Sequence, residues 1–183
     1  RLVAGGLFNT GAKMDSETFA LLRETVRRFV NERLIPNEDR VEQDDAVPAE
    51  IVAEMREMGI FGLTVPEEFG GLGLNASEES QVIFEFGRTS LAYRSVFGTT
   101  VGIGSQGIVM DGTDAQKVEW LPQLASGEMI ASFALTEPDS GSDAGSANPI
   151  VGAGSALIVD GEEEPDAGAG SGSATPSGVK TIK

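Results

Sequence analysis

Hydrophobic positions recur at helical spacing along most of the chain and then give way to a strand-like run near residue 130. From Ser16 to about Arg33, Phe19, Leu22, Val26, Phe29 and Val30 fall on one helical face. Ser16 with Glu17 is the N-terminal signal, and Pro36 reads as a stop or kink. The polar stretch from Asn37 to Asp45 reads as a solvated helix or loop. A second helix is expected from Pro48 to Met58, with Ile51, Val52, Met55 and Met58 inward and Gly59 at its end. Its acids read as a solvated face rather than as metal ligands. The glycines and prolines of residues 59–74 forbid a long regular element and predict a packed connector.

Ser77 is the expected cap of a third helix reaching about Thr89, with Glu78 and Glu79 in its first turn and Val82, Ile83 and Phe86 buried. A fourth helix, from about Leu91 to Met110, is nearly uncharged and carries Gly98, Gly102, Gly104 and Gly107. Glycine weakens an exposed helix by about 1 kcal/mol per residue, so this helix is expected to be buried, with Gly98 and Gly102 as close-contact positions. Gly112 closes it. Thr113 and Gln116 form a capping box for a fifth helix ending near Trp120 and Leu121; Pro122 restarts the turn and Gly127 terminates it.

The apolar run from Met129 to Leu135 has the length and residue types of a buried strand. It feeds the segment Phe133-Ala-Leu-Thr136-Glu137-Pro138-Asp139-Ser140-Gly141-Ser142-Asp143. Pro138 fixes one backbone angle and Gly141 permits a positive φ or a close approach. Thr136, Ser140 and Ser142 offer hydroxyls and N–H groups in a tight arc, which suits a polar, planar or phosphorylated ligand. The plainer reading is a strand followed by a surface turn whose hydroxyls cap the turn itself.

Composition narrows the chemistry. The 183 residues suffice for one good-sized domain or one domain and part of another, and 40% apolar residues allow a packed core. A net charge of −16 argues against nucleic acid and against anionic membrane surfaces, although a few local cations can still hold one phosphate group. No run of apolar residues is long enough to span a membrane. With neither Cys nor His, the chain has no disulfide, thiol nucleophile or imidazole base, so acid–base chemistry falls to carboxylates, Lys, Tyr or a cofactor. A cysteine-free sequence fits a reducing compartment.

The segment from Phe133 to Asp143 resembles the flavin-binding signature of the acyl-CoA dehydrogenase family: an aromatic, two small or apolar residues, then Thr-Glu-Pro-x-x-Gly-Ser-Asp. Pro66-Glu-Glu-Phe69-Gly70-Gly71-Leu72-Gly73 is similar to a second family segment, Pro-Glu-x-x-Gly-Gly-x-Gly, and the two stand in the family's order. The resemblance covers about residues 16–143. It implies a mainly α fold: an N-terminal helical bundle over 14–127, then the start of a β-rich middle domain over 128–183, with 1–13 as a leader or cloning scar and Met14 as a candidate start. It implies FAD, with Phe133, Leu135 and Thr136 lining the flavin, Gly141 and Ser142 at the pyrophosphate, and Ser142 also near the CoA part of the substrate. No catalytic residue or metal ligand is carried over; Glu137 and Asp143 are read as loop-shaping carboxylates. The implied reaction is dehydrogenation of an acyl-CoA to its 2-enoyl product, with electron-transfer flavoprotein as acceptor, in a homotetramer or homodimer, in a bacterial cytoplasm or mitochondrial matrix.

Beyond Ala144 the sequence turns rich in Gly, Ala and Ser. Ile150-Val151 and Ala156 to Val159 are candidate short strands, and residues 166–178 read as a disordered linker. Gly178 to Ile182 faintly echoes a family segment of the Asn-Gly-x-Lys-x-x-Ile type. The family's C-terminal helical domain, which supplies its catalytic Glu, is not in this sequence, so the chain reads as a fragment, a truncated version or an abnormal copy of such a protein. Two other readings stay open at this point: a non-catalytic interaction module of the same fold, and a related flavin monooxygenase or nitroalkane oxidase.

Overall fold

A computed structural model describes residues 14–134, 142, 155–160 and 179–182. Helix α1 (Ser16–Phe29) continues through a π-helical turn (Val30–Leu34) and a 3-10 turn (Ile35–Asn37) into α2 (Glu38–Asp44). The cap of α1 is Asp15, not Ser16: its extended backbone lets the carboxylate accept from the N–H groups of Glu17 and Thr18 at 3.1 and 2.9 Å. Pro36 does not stop the run. It sits inside the 3-10 turn, where the tighter bonding absorbs its missing N–H. The N–H of Glu38 turns to Ile35, and the Leu34 carbonyl takes the buried hydroxyl of Tyr93 at 2.9 Å. The stretch expected to be solvated is therefore helical and buries Val41.

Helix α3 (Ala49–Glu57) buries Ile51 and Met55, and Gly59 follows it in the left-handed region at φ 72°. The connector then makes two 3-10 turns (Ile60–Gly62 and Glu67–Phe69) and doubles back on itself. Leu72, Gly73 and Leu74 donate to the carbonyls of Gly62, Val65 and Leu63 at 2.8–2.9 Å. Gly71 lies flat on this return: a Cβ there would stand 2.0 Å from the Val65 carbonyl oxygen. Helix α4 (Ala76–Phe86) is capped by Asn75 rather than Ser77, in a full capping box with Glu78.

The expected long helix is two. Helix α5 (Leu91–Thr99) and helix α6 (Ser105–Asp111) are separated by a π-helical turn, Thr100–Gly104, in which Gly102 leaves the helical region at φ −83°, ψ −113°. Nor is it wholly buried, since Leu91, Ile103 and Met110 are exposed. Helix α7 (Asp114–Ser126) starts in the expected Thr113–Gln116 capping box and ends at Gly127. Pro122 lies within it and restarts nothing; the carbonyl that loses its donor belongs to Val118, an exposed residue.

One core gathers Val26, Val30, Leu34, Met55, Phe61, Phe86, Tyr93 and Phe97, with Phe86 edge-on to Phe97 at 4.9 Å between centroids. A second joins Val65, Trp120, Leu121 and Leu124 to Met129 and Ala131 of strand β1 (Met129–Ala134). Strand β1 pairs antiparallel with β2 (Ser155–Asp160), from Met129 opposite Asp160 to Ala134 opposite Ser155, and β2 pairs antiparallel with β3 (Val179–Ile182). Strands were expected at 129–135 and 156–159; β3 falls on the weak C-terminal echo. Ile150-Val151 and all of 166–178 lie outside the described residues. The fold is thus mainly α, with the beginning of a β-rich unit after it.

Candidate cofactor site

The elements that aim the 133–143 segment meet at β1. The N–H of Ala131 donates to Thr100 Oγ1 at 3.1 Å, and Thr100 is fully buried. Strand amides lie in the plane of the sheet, so this bond leaves by the edge not paired with β2. Beside it, Gly104 presses on the strand: a Cβ at 104 would stand 2.4 Å from the Ala131 Cβ. The close contacts are therefore at Gly104 against β1 and at Gly98, where the Arg94 guanidinium would meet a Cβ at 2.4 Å; Gly102 has nothing within 4 Å.

The helix break is stitched on its other side. Thr64 Oγ1 donates to the Val101 carbonyl at 2.9 Å and accepts from Gln106 Nε2 at 2.8 Å. Ser105 Oγ donates to the same carbonyl at 3.2 Å. Thr64, Thr100 and Ser105 are all buried, so each polar atom here needs the partner it has. None of these residues was singled out from the sequence. The available signal was low helix propensity from Gly98 to Gly104, with all five residues of the turn itself glycine or β-branched.

Of the expected ligand residues, Phe133 lies in β1, opposite Ala156. Ser142 is exposed, in a bend. Leu135, Thr136 and Gly141 lie outside the described residues. Strand β1 ends at Ala134, opposite the first residue of β2, Ser155.

Titratable groups near the core serve the fold. Glu85, buried on α4, accepts from Arg27 of α1 at 2.7 Å and from Arg88 at 3.3 Å. The Arg27 hydrogen bond holds its carboxyl below the usual range. Burial pushes the Tyr93 phenol up, and the Glu38 carboxylate pushes it further. Glu38 itself accepts from the Thr89 hydroxyl at 2.6 Å and the Ser90 N–H at 2.9 Å. It lines a groove of about 860 Å³ between α2 and the α4–α5 turn, which draws nothing from β1 among the described residues. No cluster of three or more His, Cys, Asp or Glu stands ready to hold a metal among the described residues. No helix there is long and apolar enough to cross a membrane.

The family model described as "Acyl-CoA dehydrogenase, N-terminal domain" matches residues 16–128. The chain belongs to the acyl-CoA dehydrogenase family. It is 41% identical over 154 residues to (2S)-methylsuccinyl-CoA dehydrogenase of Cereibacter sphaeroides, covering 84% of this chain and 27% of that protein. It is 36% identical over 126 residues to an acyl-CoA dehydrogenase of Bacillus subtilis, covering 69% of this chain and 33% of that protein. Among solved structures, the acyl-CoA dehydrogenase of Bacillus anthracis complexed with FAD aligns at 34% identity and TM-score 0.62, over 79% of this chain and 25% of that one. The chain thus spans about a quarter to a third of the length of these acyl-CoA dehydrogenases.

Proposed function

We propose that this chain is the N-terminal part of an FAD-dependent acyl-CoA dehydrogenase that converts an acyl-CoA thioester to its 2-enoyl-CoA. Residues 14–127 form its helical domain and 128–183 the beginning of its middle domain. The observation that carries the reading is the setting of β1. The strand is held on one edge by Thr100 and on the other by β2, with Gly104 against the Ala131 side chain, so the signature segment follows a fixed strand.

These residues fit an FAD. Phe133, Leu135 and Thr136 would line the flavin ring, with the Thr136 hydroxyl bonding its polar edge. Gly141 and Ser142 would meet the pyrophosphate with backbone N–H groups and a hydroxyl, and Ser142 is exposed. Ser142 would also approach the CoA part of the substrate. FAD, when bound, supplies the two-electron oxidation that a chain without Cys or His has no side chain to perform. This chain's part is to bind and orient. None of its site residues is a general base, and the carboxylate that takes the α-proton is assigned to the family's C-terminal domain.

Electrons pass on to an electron-transfer flavoprotein. The whole protein is a homotetramer or homodimer, in a bacterial cytoplasm or a mitochondrial matrix; bacterial relatives and a mitochondrial very long-chain enzyme of Bos taurus support that setting. The test is to purify the chain with added FAD and record the visible spectrum, before and after anaerobic addition of mixed acyl-CoAs. Retained flavin that is not bleached is the expected result. Absent flavin favours a non-catalytic module of the same fold, and bleaching places a base within these residues.

A further inference from the structure

We propose that Thr100, seated in the helix break between α5 and α6, is a positioning residue for the cofactor segment, acting through β1. The inference rests on the FAD reading above. It starts from an oddity of the helix: a threonine in a regular helix spends its hydroxyl on a carbonyl of the preceding turn. Here Thr25, Ser80 and Ser95 do just that, at 2.7–3.0 Å. Thr100 instead offers its oxygen across the interface to a strand amide. Thr100 keeps helical angles, φ −61° and ψ −49°, and opens the π-helical turn Thr100–Gly104; such turns are common at functional sites.

The break is not slack. The Val101 carbonyl is held by both Thr64 and Ser105, and Thr64 is held in turn by Gln106. Gly104, the last residue of the turn, admits β1 to contact distance. A hydroxyl on so fixed a turn sets the height of Ala131 along the strand. Ala131 stands two positions before Phe133 and five before Thr136. A strand reads its register through such bonds, and a slip of one residue moves every following side chain to the other face. The buried Met129 and Ala131 and the pairing with β2 already favour that register, and the Thr100 bond adds a fixed point on the strand's other edge.

The variants are T100V, which keeps the shape and removes the acceptor, and T100S, which keeps the acceptor. Val41→Ala, in the α2 core remote from β1, controls for loss of stability alone. FAD affinity and visible flavin circular dichroism are measured on the purified 183-residue chain, with amide hydrogen exchange on the same proteins without FAD. The expectation for T100V is faster exchange confined to residues 129–134, an FAD dissociation constant raised about tenfold, and an altered flavin dichroism band, with T100S close to wild type. Equal losses of FAD affinity in T100V and V41A at equal stability would overturn the proposal, as would unchanged exchange over β1 in T100V. If the wild-type chain takes up no FAD, the functional reading fails first, while the exchange measurement still decides whether Thr100 fixes the strand.

Discussion

Two glycines separate what a missing side chain does. At Gly71 a Cβ would overlap the Val65 carbonyl, which is backbone and fixed by the returning strand of the connector. G71A is expected to cost about 3 kcal/mol, read as a drop in thermal midpoint. Gly107 is exposed on α6 with nothing within 4 Å of its Cβ position. G107A is expected to stabilise by about 0.5–1 kcal/mol, because alanine gives up less backbone entropy in a helix. Both residues sit in glycine-rich stretches, and the sequence separates them poorly. Gly98 and Gly102 were expected to be the tight positions of the fourth helix, yet the tight ones are Gly98 and Gly104. Which face a glycine presents depends on the helix being continuous, and the break at 100–104 shifted the faces beyond it.

Elements were read well where one residue dominates their ends. The Thr113–Gln116 box, the burial of Val26 and Phe29, and the burial of Val82 and Phe86 all follow from local spacing. The caps of α1 and α4 were each misplaced, because adjacent polar residues compete and tertiary contacts choose between them. Asn75 wins over Ser77 since its neighbour three on is Glu78, whose carboxylate accepts the Asn75 N–H at 3.1 Å. N75A is therefore expected to lose about 1 kcal/mol by chemical denaturation, and S77A far less. The α1–α4 pair carries a second consequence in Glu85, clamped by Arg27. Its folded pKa lies below the unfolded value, so its contribution is full above the ordinary carboxylate range and vanishes as pH falls through the depressed value. Stability of the wild type should fall as pH drops below about 4.5, and Glu85→Gln should flatten that slope while lowering stability at pH 7.

At the scale of the whole molecule the helical domain and its order of elements were evident from apolar periodicity, and the 133–143 segment stood out by its own residues. The link between them was not. Thr100 meets Ala131 across 31 positions, and Thr64 meets Val101 and Gln106 across 37 and 42, and nothing local marks such meetings. That link also bears on how the chain is made. Strand β1 (Met-Ile-Ala-Ser-Phe-Ala) carries no charge, and its partner β2 arrives only after residue 154. During synthesis the helices and the Thr100 contact present β1 with one edge bare, a template for the same strand of another copy. A chain ending at residue 134 should thus aggregate on refolding, with turbidity rising with concentration, where the 183-residue chain stays dispersed. The contact that holds β1 in register also leaves a sticky nascent edge, and β2 covers it.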